Sequence, residues 1–179
     1  MHLATRTVKT ILNLGSGNKS FADAVNLDVT PRTNPDVVHD LNQTPWPFAD
    51  NSFTEVRAYD VIEHLHDILK TMEEIHRICR AGASVQITVP HFSSGNAYTD
   101  PTHQHFFSVF SMDYFTEGHP TAFYSPARFH VKQAQIQFYP SLVNKLVWRL
   151  AKRYPQRYEQ RWAWMFPAWY LFFELEVVK

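Results

Sequence analysis

Apolar positions along the chain fall into short runs separated by polar turns, with one longer stretch at helical spacing. "TVKTILNL" (7–14) predicts a buried first strand, and "AVNLD" (24–28) a second. "DVVHD" (36–40) predicts a short third strand and "EVRAYDVI" (55–62) a fourth. Asp67 then caps a helix in which Ile68, Met72, Ile75 and Cys79 share one face, with Gly82 as its stop. "ASVQITV" (83–89) returns as a fifth strand ending at Pro90, which makes a right-handed crossover with the fourth strand and the helix. Beyond Pro90 come a long polar loop, "SMDYF", a strand over 129–139 and an amphipathic helix over 141–153. "YLFFELEVV" (170–178) closes the chain as an edge or antiparallel strand. The pattern predicts an α/β fold: a seven-stranded, mostly parallel, doubly wound sheet with late antiparallel strands.

Composition narrows the class. With 179 residues, 45% apolar and 19% charged, the chain suits one folded domain with a sizeable core. Formal net charge is zero, which gives no global argument for a nucleic-acid partner. Cys79 is the only cysteine, so no internal disulfide forms, and a reducing cytoplasm is the expected location. The N-terminal "MHLATRTVKT" lacks the apolar stretch of a signal peptide, and no window is long enough for a membrane span. Charge is uneven beneath the neutral total. Residues 20–67 carry nine carboxylates against Arg32 and Arg57, whereas residues 128–162 carry eight Lys or Arg against Glu159 alone.

The stretch "NLGSGNKSFADAVNLD" (13–28) sets the chemistry. Glycines at the end of a strand let a ligand approach the backbone, and Asp28 ends the neighbouring strand, where a carboxylate can accept both hydroxyls of a ribose. A phosphate loop needs Gly-Lys-Ser/Thr in sequence, and Asn18 interrupts it. A dinucleotide fold needs a third glycine opening a helix; Ser20 occupies that position, and three residues before Ala24 leave no room for one. A nucleoside cofactor without phosphates, S-adenosylmethionine, fits better.

"ILNLGSGNK" resembles the first motif of class I S-adenosylmethionine-dependent methyltransferases, and "NLD" resembles their ribose-binding acid. "VVHDLNQTPWPFADNSFTEVRAYDVIEHLHD" is similar to their third and fourth strands, and "EIHRICRAGASVQITVP" to the helix, turn and fifth strand. The resemblance covers roughly residues 8–92. It extends to a bacterial, type-11-like subgroup with a shortened first helix and a "PHFSS…D-T-H…F" loop, here with Pro101 between the acid and the threonine. It implies a Rossmann-like fold, with residues 1–90 as cofactor half and 91–179 as acceptor half. It also implies that Gly15, Ser16 and Gly17 line the methionine part, Asp28 the ribose, and Asp40 with Leu41 the adenine edge, while Asp60 borders the substrate side. Two residues depart from the pattern: Asn13 stands in place of an acid at the cofactor's amino group, and Lys19 in place of the third glycine.

"PHFSSGNAYTDPTHQHFFS" (90–108) gathers His91, Asp100, His103 and His105 beyond the fifth strand, where a methyl acceptor enters. Transfer to a hydroxyl needs a base, and imidazole with an orienting carboxylate supplies one. The expected base is His103 or His105, with Asp100 as partner and His91 as a donor that orients the acceptor. A divalent metal on this loop is the less favoured use, because three imidazoles and one carboxylate suit hard cations poorly. Glu63, His64 and His66 lie on the cofactor's side by position. In the tail, Leu142, Val143, Leu146, Val147 and Leu150 form one helix face, expected to dock on the sheet, opposite Lys145, Arg149, Lys152 and Arg153. The histidine and acid loop suits O-methylation, the resemblance to the bacterial subgroup implies a sugar or related small metabolite as acceptor, and basic residues near it would suit an acidic or lipid-linked glycan. N- or C-methylation, or a non-catalytic partner protein that binds the cofactor, are the alternatives. No nucleic acid and no stable membrane insertion are expected.

Overall fold

A mixed sheet of seven strands organises the computed structural model, which describes residues 9–179. Residues 7 and 8 of the predicted first strand lie outside the described residues. The strands are β1 (Ile11–Leu14), β2 (Val25–Asp28), β3 (Val37–Val38), β4 (Phe53–Tyr59), β5 (Cys79–Pro90), β6 (Arg128–Gln137) and β7 (Tyr170–Val178). Their spatial order is β3-β2-β1-β4-β5-β7-β6. The first five are parallel, and β7 is antiparallel to both β5 and β6. The last strand is therefore antiparallel, as one of its two sequence readings had it, but it sits inside the sheet. Its alternation explains the place: Leu171, Phe173, Leu175 and Val177 are buried, whereas the edge strand β6 carries exposed His130, Lys132 and Gln133.

The helix α1 (Ile68–Ile78) forms the crossover between β4 and β5. The Asp67 carboxylate accepts from Lys70 N at 3.1 Å, capping it, and Met72, Ile75 and Ile78 are fully buried. The helix stops at Ile78 rather than at Gly82, because Cys79 is already extended and pairs with Phe53. The register then jumps, so that Glu55 faces Ser84. Gly82, at φ +75°, lies in this irregular stretch as a strand bulge and not as a helix stop.

No helix lies between β1 and β2, as the short spacing required. Side-chain amides hold the connection instead. Buried Asn26 donates to Phe21 O (2.9 Å) and accepts from Phe21 N (2.9 Å) and Asn13 Nδ2 (3.0 Å), while Asp36 accepts from Asn26 N at 2.8 Å. One amide side chain thus satisfies the backbone groups that a helix would have paired internally.

After β5 come the short α2 (Asn96–Thr99), two 3-10 turns, and then α3 (Leu142–Arg153) and α4 (Pro155–Arg161) between β6 and β7. The face expected to dock α3 on the sheet is only partly buried. Leu142 and Leu146 are 85% and 62% exposed, and Val147 and Ala151 make the packing contact. The buried stripe is rotated toward α4, whose Tyr158 is buried beside it. Among the described residues, no helix is long and apolar enough to cross a membrane.

The loop after β5 is fastened to α4 by Glu159. Its carboxylate accepts from His91 Nε2 (3.1 Å), Ser108 Oγ (2.6 Å) and Val109 N (2.8 Å). These bonds hold Glu159 below the usual carboxylate range against the opposing effect of its burial. Glu159→Ala leaves three donors without their acceptor and is expected to cost about 3 kcal/mol, measured by urea denaturation.

Candidate functional site

The cofactor-side residues meet where the C-terminal ends of β1, β2 and β4 converge. Gly15 and Gly17 both have positive φ (57° and 44°). A Cβ on Gly15 would overlap the Val61 side chain, so both the backbone conformation and the space require glycine there. Asp28 is buried at the end of β2, where Oδ2 accepts from Gly17 N (2.7 Å) and Oδ1 from Thr30 N (2.9 Å). Each oxygen keeps a second lone pair, which suits a ribose diol. Ser16 is buried between the glycines, and its Oγ has no hydrogen-bond partner. That orphaned hydroxyl and the glycine cradle fit a ligand seated on the loop.

The other expected cofactor residues are placed as follows. Asn13 Nδ2 donates to Lys19 O (2.9 Å) and Asn26 Oδ1 (3.0 Å), so its amide N–H groups fasten the loop. Asp40 Oδ1 accepts from Asn42 N (2.9 Å), which shapes the turn after β3, and the adjacent Leu41 is buried. Trp46 Nε1 donates to Leu41 O at 3.0 Å and fixes that turn against the core. Asp60 ends β4 in the left-handed region, at φ +58°, an uncommon position for a non-glycine residue. Its Oδ1 accepts from Thr88 Oγ1 (2.9 Å), and its Oδ2 pairs with Lys19 Nζ (3.2 Å). The residue in the third-glycine position therefore reaches from the glycine loop to the far side of the cleft.

On that far side is an open hollow of about 480 Å³, lined by Asp60, Glu63, His64, Asn96, Thr99, Asp100, Pro101, His103 and Tyr170. It draws on the turn after β4, α2 and the loop that follows it, and the start of β7. Two of the four residues expected to carry the chemistry are here, Asp100 and His103, and two are not. His91 is fully buried elsewhere: Ser93 N donates to its Nδ1 (3.1 Å), so its Nε2–H donates to Glu159. It is a packing and hydrogen-bonding hub, not an acceptor-orienting donor. His105 faces a separate hollow with Ile68, Leu69 and Phe115. The backbone explains the divergence: Gln104 N and His105 N both donate to Glu63 O (2.8 and 3.3 Å), which turns the chain between the two imidazoles.

Asp100 is exposed, and its side-chain hydrogen bonds lead through Thr102 to His64 and not to His103. Thr102 Oγ1 donates to Asp100 Oδ1 (2.7 Å) and accepts from His64 Nδ1 (2.8 Å). These bonds from Thr102 hold the Asp100 carboxyl below its usual range. His103 Nδ1 donates to Ala97 O at 3.1 Å, which leaves Nε2 as a lone pair. The two imidazoles meet edge to face, with centroids 4.6 Å apart. Burial lowers the His64 pKa, and neighbouring His103 lowers it further.

Glu63 has the largest role that sequence reasoning did not assign. It is 1% exposed, neither carboxyl oxygen has a hydrogen-bond partner, and Oε1 lies 4.0 Å from His103 Nε2. Burial pushes its pKa up to about 8, helped by the charges of Asp60 and Asp100. Asn96 and Tyr170 were likewise unassigned; nothing in their sequence surroundings marks them, because only the fold brings them to this wall.

Residues 12–87 match a family model described as a methyltransferase domain. No curated protein matches the chain significantly. Solved structures are similar over nearly its whole length. One is a SAM-dependent methyltransferase from Archaeoglobus fulgidus, 13% identical, with TM-score 0.63 over 93% of this chain and 85% of that one. Another is an S-adenosylmethionine-dependent methyltransferase from Mesorhizobium loti, 12% identical, with TM-score 0.59 over 93% and 89%. A third is phosphoethanolamine N-methyltransferase 2 from Haemonchus contortus, 15% identical, with TM-score 0.57 over 94% of this chain and 48% of that one. The chain thus has the class I methyltransferase fold, and its matched stretch holds β1, β2 and the glycine loop described above.

The raised Glu63 pKa sets a stability-versus-pH dependence. The group is ionised in the unfolded chain above about 4.5 but stays protonated in the fold up to about 8. The unfolded state therefore binds fewer protons across that window, and stability falls as pH rises through it. With a chelator present, Glu63→Gln is expected to abolish this fall. The variant should gain on the order of a few kcal/mol over the parent at pH 8 relative to pH 5, measured by denaturation at each pH.

Proposed function

We propose that this chain, whose residues 12–87 match a methyltransferase-domain model and whose fold is that of class I methyltransferases, is an S-adenosylmethionine-dependent methyltransferase that methylates a hydroxyl on a polar small molecule of sugar type. S-adenosylmethionine supplies an electrophilic methyl group on sulfur. The observation that carries the acceptor reading is the character of the hollow. Three carboxyl groups, two imidazoles, an amide and a phenol line it within one open wall, and Asp60 is tied to the glycine loop through Lys19. Such a wall recognises several hydroxyls by hydrogen bonds and offers little to an apolar acceptor.

His103 is the base of this proposal. Its Nδ1–H is held by Ala97 O, so the neutral ring presents the Nε2 lone pair toward the buried side of the hollow. As the acceptor oxygen bonds to the methyl carbon and the carbon–sulfur bond breaks, the hydroxyl proton passes to Nε2. Glu63, once ionised, stabilises the imidazolium across 4.0 Å. Asp100 and Thr102 hold His64 beside it. A base placed at the acceptor serves a hydroxyl, which must lose its proton, more than a neutral amine, which is the reason to rank O- above N-methylation even though one structural neighbour is an N-methyltransferase.

The test is a screen of monosaccharides, sugar acids and nucleotide sugars with labelled cofactor, followed by kinetics on whichever acceptor is methylated. His103→Ala is expected to lower kcat about 100-fold or more with cofactor affinity unchanged, whereas His105→Ala changes kcat less than threefold. Equal losses in the two variants, or a sole preference for amines, would contradict the reading.

A further inference from the structure

In the resting protein one group of the hollow has no partner. Glu63 has two buried carboxyl oxygens that bond to nothing in the chain, an arrangement that costs on the order of 1–3 kcal/mol or more. A positive charge placed against it would remove that cost. The nearest ammonium in the cleft, Lys19, is engaged by Asp60.

What faces Glu63 is a pair of imidazoles. One carboxylate oxygen of Glu63 and one ring nitrogen each from His64 and His103 lie within 4.8 Å of one another. The surrounding hydrogen bonds fix both tautomers. Ala97 O can only accept, so His103 carries its proton on Nδ1. The Thr102 hydroxyl already donates to Asp100, so it accepts from His64 Nδ1. Both rings therefore keep Nε2 as a lone pair. This is the outer-shell pattern that orients histidine ligands in metal proteins: a carbonyl behind one ring, and a hydroxyl backed by a carboxylate behind the other.

The geometry points to a binding site for a divalent transition-metal cation, held by the Glu63 carboxylate and the Nε2 atoms of His64 and His103. Ligand bonds of about 2.0–2.2 Å at roughly tetrahedral angles put donor atoms about 3.4 Å apart, so side-chain rotation on binding must draw the cluster in by up to about 1.4 Å. Two imidazoles and one carboxylate select zinc, cobalt, nickel or ferrous iron over magnesium and calcium, which prefer oxygen. Protein supplies three ligands, and the remaining positions open toward the hollow, as in a site that takes a further ligand. Cation binding does not depend on the methyl-transfer reading; only its use at an acceptor oxygen does. There a bound cation would take the Nε2 lone pairs of both imidazoles and would lower the pKa of a coordinated hydroxyl, whose proton would pass to water in the open hollow instead of to His103.

The experiment uses the full chain, stripped with chelator and dialysed, without cofactor or acceptor. Cobalt(II) is titrated in while visible absorption is recorded, with thermal melts in zinc, cobalt and magnesium. One cobalt per chain with d–d bands, displacement by zinc, and a higher Tm with zinc or cobalt but not magnesium are expected. Glu63→Gln and His64→Gln should each weaken cobalt binding at least tenfold while melting cooperatively. Thr102→Ala should weaken it about 10- to 100-fold by releasing His64. No saturable cobalt or zinc binding, or binding unchanged in both Glu63→Gln and His64→Gln, would overturn the site. Either result leaves the methyl-transfer reading to be judged separately by labelled-product formation.

Discussion

The Asp28 carboxylate is the constraint on which the functional end of the molecule depends. Placed at the end of β2, it takes Gly17 N on one oxygen and Thr30 N on the other, and so fixes the glycine loop and the following turn at once. The loop can lie there because Gly15 and Gly17 adopt positive φ and because Val61 fills the space a side chain at Gly15 would need. Ten residues between β1 and β2 are too few for a helix that packs and returns, so Asn26 and Asn13 satisfy the connecting backbone instead. The result is a cofactor cleft without a phosphate-directed helix N-terminus, consistent with a nucleoside ligand whose recognition centres on a ribose.

From that cleft the chemistry passes to the hollow through Asp60. Its left-handed backbone turns the chain out of β4, and the next residues bring Glu63 and His64 to face His103 from the loop after β5. Two sets of bonds keep the faces together. Gln104 and His105 bond to the carbonyl of Glu63, and Gln104 to that of His64, on one side of the turn. On the other, Glu159 of α4 anchors His91, Ser108 and Val109, which pins the loop's root and its far end. A polar wall held at this many points is pre-organised, which serves proton transfer and cation binding alike.

Much of the fold was legible because strand period, glycine pairs and a capped helix are local signals. The strands β1 to β3 and β5 and the start of α1 lie where the periodicity of "ILNL", "VNLD" and Ile68–Ile78 places them, whereas β4, expected over 55–62, ends at Tyr59 because Asp60 leaves the strand in the left-handed region. The stop at Ile78 and the insertion of β7 between β5 and β6 were not legible, since both are decided by sheet partners distant in sequence. The exposure of Leu142 and Leu146 has the same origin: a periodic apolar face says that a helix forms, not which edge of it is covered. In the site, Asp28 and the glycines followed from spacing. His103 and His105 looked equivalent as bases, and His91 looked like a donor beside them, because all three share one loop; only the bifurcated carbonyl of Glu63 and the half-buried Glu159 separate their places. A signal for Glu159 was present: it is the sole acid among eight bases in residues 128–162, and a carboxylate placed against that trend has a partner of its own.

The central claim, that Asp28 and the glycine loop build a cleft for S-adenosylmethionine, is tested most directly by calorimetric titration with that cofactor and with S-adenosylhomocysteine. The account expects one site per chain for both, at micromolar affinity or better, and a loss of at least 100-fold in a folded Asp28→Asn variant. No binding by the parent chain, or equal affinity in the parent and Asp28→Asn, would contradict it.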